Sequence, residues 1–329
     1  MKYLITGGAG FIGSHVAECL ILEKNIKKIL IIDHLRDGSK KNIKNILNKK
    51  KIKFIKEDIK KTNKIKKYFK GVNCVIHLAA LSDIVPSIDK PKEYLENNIM
   101  GTVSVLECMR YHGVKKIIYS ASSSCYGIPL KVPTCEDHKI NPMYPYAFSK
   151  YVGEMVIKHW SQVYGIKFIS LRLFNVYGTR SRTHGAYGAA LGVFLRQKIS
   201  NKPLTIVGSG RQKRDFIYVK DVAEVFKKSL FSKEKNQIFN IGSSKPKTVN
   251  KLASLISDKK IYIPKRPGEP YVTHANIKKA NKKLRWFPNV KFEDGVKILL
   301  KDINYWKNAT LWDKSKINKA TKSWFKYLE

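Results

Sequence analysis

The sequence predicts an α/β fold, a parallel sheet wound with helices on both faces. Two observations carry the prediction. Short apolar runs alternate with amphipathic stretches from the N-terminus to about residue 173, the pattern of strands joined by helical crossovers. The first thirty-three residues then read strand, glycine turn, helix, strand, which is the opening unit of a dinucleotide-binding sheet.

Lys2 to Thr6 (KYLIT) is a short buried strand, and Gly7-Gly8-Ala9-Gly10-Phe11-Ile12-Gly13 follows it at once. Ser14 to Leu22 has helical apolar spacing, and Leu30-Ile31-Ile32-Asp33 is a second strand ending on a carboxylate. Gly7, Gly10 and Gly13 allow a tight turn and close backbone approach to a pyrophosphate, with Phe11 and Ile12 between them. The helix start offers free N–H groups and the positive end of its dipole to the phosphates. Asp33 can accept hydrogen bonds from an adenine ribose and would repel a 2′-phosphate, which selects NAD. Arg36, Lys40 and Lys41 lie near enough to accept that phosphate instead. The sheet is therefore expected to be of the Rossmann type.

Further strands are expected at Lys53–Ile55, Cys74–His77, Lys116–Tyr119 and Lys167–Leu173, with helices that include Pro91 to Tyr111 and Tyr144 to Tyr164. Asp58 and Ile59 follow the third strand, where an acid can reach the adenine amino group. His77-Leu78-Ala79-Ala80 closes the fourth; small residues there let backbone lie close to a dinucleotide, and a packing turn would read the same. Asn97 and Asn98 precede Gly101 on the next helix, and Asn98 is assigned to the cofactor side. Tyr119 to Gly127 (YSASSSCYG) begins in a strand, so Ser122, Ser123 and Ser124 fall at the carboxyl end of the sheet, where open α/β sheets bind ligands.

Tyr146 and Lys150 stand at i and i+4, on one helix face. A free tyrosine has a pKa near roughly 10; a neighbouring ammonium and a positive nicotinamide ring favour the phenolate. With Ser122 bonded to the same substrate hydroxyl, Tyr146 becomes a base that takes a hydroxyl proton while hydride leaves the carbon.

Beyond Asn175 the pattern is irregular, with a helix again at Val219 to Leu230, a strand at Gln237 to Asn240, and helices near Asn276–Leu284 and Glu293–Tyr305. Residues 1–173 and 214–243 are expected to form the dinucleotide-binding domain. Residues 174–213 and 244–329 are expected to form a smaller, interwoven substrate-binding α/β domain.

With 329 residues and 43% apolar content, the chain suits a globular protein with a large core. No apolar run approaches a membrane span, and the chain opens directly in its first strand, so a cytoplasmic location is expected. Cys19, Cys74, Cys108, Cys125 and Cys135 are odd in number and lack ligand spacing; reduced thiols and no metal site are expected. The formal charge is +39, spread over Leu47–Lys53, Lys60–Lys61, Lys64–Lys67, Lys115–Lys116 and Lys278–Lys283. No single basic element reads as a nucleic-acid motif, so no specific nucleic-acid partner is expected, although a basic surface would steer an anionic ligand.

On these motifs the chain resembles the extended short-chain dehydrogenase/reductase family, in particular its nucleotide-sugar epimerases and dehydratases. Gly7, Gly10 and Gly13 match the family's TGGAGFIGSH signature, and HLAA at His77–Ala80, the serine turn, Tyr146 and Lys150 follow in order. Arg172 to Gly178 (RLFNVYG) is similar to a segment whose asparagine, here Asn175, contacts the sugar nucleotide. Gly208 to Phe216 (GSGRQKRDF) and Arg266-Pro267-Gly268-Glu269 are similar to segments whose arginines, here Arg214 and Arg266, grip the diphosphate. The resemblance implies NAD as cofactor, a nucleoside-diphosphate sugar as substrate (a UDP-sugar foremost), and a homodimer with a four-helix interface. The family's dehydratases place Asp-Glu after the catalytic threonine, and its decarboxylases place Glu in that turn; here stand Ser123 and Ser124. The expected activity is therefore C4 epimerisation through a transient 4-keto sugar. A dehydratase, decarboxylase or 4-keto reductase on the same scaffold remains the alternative, and a non-catalytic dinucleotide- or nucleic-acid-binding protein a further one. Ser181 to Tyr187 (SRTHGAY) leaves the sugar unread, with His184 a candidate contact, and Ala309 to Glu329 lies outside the recognised motifs as an aromatic cap.

Overall fold

Seven parallel strands run Gln237–Ile241, Lys167–Leu173, Lys116–Ser122, Cys74–His77, Lys2–Thr6, Lys28–Ile32 and Ile52–Ile55 across one sheet. The computed structural model describes residues 1–183 and 190–328. Strands such as Cys74–His77 are buried at every position, because helices cover both faces and neither can be polar. The strand order reverses between Lys2–Thr6 and Cys74–His77. Two crossovers depart there to opposite sides, leaving a crevice at the carboxyl ends where ligands bind. One face packs on Phe11–Ile21 and Val219–Phe231 around Val16, Leu20, Val222 and Phe226. The other packs on Gly101–Tyr111 and Pro145–Tyr164 around Val105, Met109, Tyr119 and Ile157.

The helix expected over Pro91–Tyr111 is interrupted. Pro91–Leu95 and Gly101–Tyr111 are α-helical, and Glu96–Met100 between them is a π turn. Such a bulge admits one extra residue per turn and re-aims side chains, often at functional sites. Here it buries both Asn97 and Asn98.

A second core lies over the crevice. It contains the helix Ala190–Ile199 and the strand Leu204–Val207, neither of them apparent in the irregular stretch after Asn175, with Leu204–Val207 paired parallel to Lys260–Ile263. Asn175–Tyr177 pairs with Phe216–Tyr218, and Lys213–Arg214 with Lys247–Thr248. Buried Asp215 binds this lobe together: its carboxylate accepts from Ser243 N, Ser244 N and Ala275 N at 2.6, 3.1 and 2.8 Å. The chain closes with Lys314–Ala320, capped by Asp313, and Lys322–Leu328. No helix among the described residues is long and apolar enough to cross a membrane.

Candidate active site

The glycine turn sits where the first strand meets its helix. Gly7 N donates to Ile32 O at 2.8 Å, and Gly7 has φ +69°. A Cβ on Gly13 would lie 2.2 Å from Gly7 O, and one on Gly7 would lie 2.7 Å from Ala79 N. Any side chain would push turn, helix and the Leu78–Ala80 loop apart. No side chain caps the helix Phe11–Ile21, so its first N–H groups face the cavity. Asp33 is 7% exposed. Its carboxylate accepts from Ala9 N at 3.0 Å and Leu35 N at 2.8 Å, which fixes its direction and leaves further acceptor capacity. Of the cations that could favour a 2′-phosphate, Arg36 is paired with Glu93 and Lys40 lies over Phe54.

His77 anchors the next wall. Thr102 donates to Asn98 O at 2.6 Å, so its oxygen accepts from His77 Nε2 at 3.0 Å, and His77 Nδ1 accepts from Thr6 at 2.6 Å. Burial holds the imidazole neutral, with its pKa down at about 3. This fixed ring sets the strand end from which Leu78, Ala79 and Ala80 emerge.

One cavity of about 700 Å³ spans the crevice, and 19 of the sequence-derived positions line it: Gly7, Gly10, Phe11, Ile12, Gly13, Asp33, Asp58, Ile59, Leu78, Ala79, Ala80, Ser122, Ser123, Ser124, Tyr146, Lys150, Asn175, Arg214 and Arg266. Asn98 stands behind the wall. Its amide donates to Leu81 O and Ser149 Oγ at 3.0 and 2.9 Å and accepts from Leu81 N at 2.8 Å, so it ties helix to loop while Asn97 faces the cavity. His184 lies outside the described residues.

At the centre, Ser122 Oγ and Ser124 Oγ lie 2.6 Å apart, and Ser122 hydrogen-bonds Tyr146. The pKa lowering expected for Tyr146 is not what the site gives by itself. Burial pushes the phenol above its usual value, and the Ser122 bond pulls it only part of the way back. Burial also takes Lys150 down from 10.5 to about 7, against the attraction of Glu154. Both shifts have one origin: a dry wall disfavours either charge alone. The lysine is 4% exposed, with Nζ 4.3 Å from the Tyr119 ring centroid.

Several site groups escaped the sequence reading. Glu154 is buried beneath Lys150, one helical turn on, and grips Arg172 at 2.5 and 3.1 Å and Ser170 at 2.6 Å. Its i+4 spacing from Lys150 was the available signal. Glu269 lies between the two arginines, 3.2 Å from Arg214 and 2.9 Å from Arg266. Tyr144 hydrogen-bonds Ser124 and packs on Trp324. Arg182 spans the cleft mouth, pairing with Asp37 at 2.6 Å and with Asp83. Among the described residues, no cluster of His, Cys, Asp or Glu could hold a metal ion.

Known proteins share this fold. A putative UDP-glucose 4-epimerase of Methanocaldococcus jannaschii is 39% identical over 313 residues, covering 93% of this chain and 98% of its own. The UDP-glucose 4-epimerase of Thermotoga maritima, solved with UDP-glucose, superimposes with TM-score 0.86 at 32% identity, covering 93% and 99%. The UDP-glucuronic acid 4-epimerase of Bacillus cereus, solved with UDP-glucuronic acid and NAD, gives 0.86 and 32% over the same shares. The family profile matches residues 3–242, and the chain belongs to the NAD dependent epimerase/dehydratase family.

Proposed function

We propose that the protein is an NAD-dependent 4-epimerase of a nucleoside-diphosphate sugar, a UDP-sugar foremost. The observation that carries this reading is the meeting of Ser122, Tyr146 and Lys150 with the glycine turn and Arg214 in one cavity. The cofactor fits the cradle: Gly7 and Gly13 leave no room for a Cβ, the helix start is uncapped, and Asp33, which lines the cavity, would accept from its ribose. When bound, NAD supplies a reversible hydride acceptor and a positive ring beside the tyrosine.

Tyr146 takes the proton of the C4 hydroxyl and later returns it. Ser122, held by Ser124, orients that hydroxyl. Lys150 favours the phenolate and holds the nicotinamide ribose. The resulting 4-keto sugar turns within the cleft and is reduced on its other face, so no external reductant is consumed. Arg214 and Arg266 hold the diphosphate, whose two charges take the place of the Glu269 carboxylate between guanidinium forks suited to phosphate oxygens. Asn175 Oδ1, accepting from Thr273 at 2.8 Å, turns its amide toward the sugar nucleotide. Ser123 and Ser124 supply no titrating carboxyl, which favours epimerisation over elimination. The division at residues 173, 213 and 243 gives the smaller lobe the sugar nucleotide.

The active unit is a homodimer through the helices Pro91–Leu95 with Gly101–Tyr111, and Pro145–Tyr164. With the π turn between the first two, they expose Met100, Tyr111, Phe148, Met155 and Val163, and a C2 contact would cover the same face on both copies. Light scattering at micromolar concentration should give twice the monomer mass. The five cysteines are all unpaired, which suits the reducing cytoplasm. The deciding experiment is incubation with UDP-, GDP- and dTDP-sugars without added cofactor, read by NMR. One UDP-sugar converting to its C4 epimer supports the reading. Water loss, CO2 release or a requirement for added reductant overturns it.

A further inference from the structure

The C-terminal helix Lys322–Leu328 lies outside every motif above, yet Trp324 lines the cavity. The indole is 2% exposed. Its Nε1 donates to Pro267 O at 2.7 Å, within the loop that carries Arg266 and Glu269. Its ring lies 5.8 Å from the Arg266 guanidinium carbon and 5.8 Å, centroid to centroid, from Tyr144. Gly268, at φ +67°, turns toward Leu328 of the same helix. Tyr144 in turn bonds Ser124, which bonds Ser122. A single side chain thus touches both the loop of the diphosphate arginine and the residue that braces the serine turn.

We infer that Trp324 is a positioning residue for the sugar nucleotide. It sets the distance between the Arg266–Glu269 loop, which receives the diphosphate, and the Ser122–Tyr146 pair, which receives the C4 hydroxyl. The physical argument is that Arg266-Pro267-Gly268-Glu269 is irregular backbone with no sheet to hold it, and Gly268 adds freedom. Arg214 holds its far end through Glu269 and Pro270 O; its near end depends on the indole N–H, the flat indole face under the guanidinium, and the end of the helix. The contacts of Trp324 are to Pro267, Arg266 and Tyr144, none of them in the glycine turn, so its effect should fall on the substrate rather than on NAD. The inference rests on the epimerase reading for what the loop holds.

The test uses the full-length chain with three changes. Trp324→Phe keeps a ring but removes the N–H; Trp324→Leu removes the ring as well; Tyr327→Ala alters an exposed neighbour on the same helix. UDP and UMP binding are measured by calorimetry, bound NAD by mass spectrometry, and KM and kcat on the UDP-sugar that wild type converts. Trp324→Phe should raise the dissociation constant of UDP and the KM about tenfold, the scale of one hydrogen bond. UMP, which lacks the second phosphate, should lose less, and NAD content should match wild type. Trp324→Leu should lose more, and Tyr327→Ala nothing. Unchanged UDP affinity in both Trp324 variants, with wild type still binding UDP, overturns the positioning role and leaves the epimerase reading intact. Equal losses of UDP, UMP and NAD would mark general unfolding and also overturn it. Wild type that binds no UDP brings down both.

Discussion

Replacing Lys150 by methionine should abolish catalysis and yet make the protein more stable at neutral pH. The charged lysine sits in a dry wall, with its pKa taken from 10.5 to about 7 by burial and only partly supported by Glu154. At roughly 1.4 kcal/mol per tenfold, holding that charge in the folded state costs about 4–5 kcal/mol. The penalty is complete below about pH 7, where folded and unfolded chains are both protonated. Between 7 and 10.5 the unfolded chain binds more protons than the folded one, so wild-type stability rises with pH across that window. Above it the penalty is gone. Methionine has the length to fill the space and exchanges the cation over Tyr119 for a sulfur–aromatic contact. Denaturant unfolding of both proteins, stripped of nucleotide, should therefore show Lys150→Met ahead by about 4–5 kcal/mol at pH 6. The gap should narrow steadily toward pH 10. The other shifted lysines, Lys2, Lys116 and Lys279 lowered and Lys227 raised, are common to both chains and cancel. A gap that stays constant with pH, or a variant weaker than wild type at pH 6, refutes the argument that desolvation governs this lysine.

Tyr146→Phe should lower kcat by about 10²–10⁴-fold, the worth of a positioned proton-transfer group, while nucleotide released by heat remains NAD in wild-type amount; near-normal turnover would remove Tyr146 from the proton path. Gly13→Ala should yield protein without NAD and less stable by about 1–3 kcal/mol, because the new methyl meets the Gly7 carbonyl rather than a yielding side chain; retention of NAD would show that the turn can open. Duplex DNA binding should be independent of sequence and collapse by about 200 mM salt, since dispersed lysines act only through counterion release. The sugar nucleotide should still bind at that salt, and Arg214→Ala should weaken it far more than Lys49→Ala, as Arg214 is half-buried against Glu269 and Lys49 is exposed; equal effects would place the diphosphate elsewhere.

What the sequence revealed, and what it hid, divides by the distance over which each feature is determined. The glycine turn, Asp33 and the Tyr146–Lys150 pair are local: each needs only spacing along one strand–turn–helix unit or one helix face, so sequence alone located them. Strand ends came out within a few residues, except where Lys116–Ser122 runs on through the serines, because Lys167–Leu173 keeps pairing with it past Tyr119, where Cys74–His77 has ended. The π turn at Glu96–Met100 has no periodic signature of its own, since one extra residue in a helix is set by what Asn97 and Asn98 must reach. Ala190–Ile199 and Leu204–Val207 were hidden for a related reason: their apolar residues serve a second core whose other half comes from residues 249 to 324.

The same distance rule explains why Arg214 and Arg266, the arginines proposed for the diphosphate, stand out in the sequence only through the resemblance of their segments to those of the family. Arg214 and Arg266 are far apart along the chain and meet at Glu269, while Asp215 fixes the backbone beside the first and Trp324 the loop of the second. In a chain with 64 lysines and arginines, charge alone distinguishes neither. Burial does: a guanidinium is kept out of water only where a partner or ligand repays its desolvation. Here the Glu269 carboxylate is shared by both guanidinium groups. On the proposed reading a diphosphate competes with it for the same two forks, whose geometry suits phosphate oxygens.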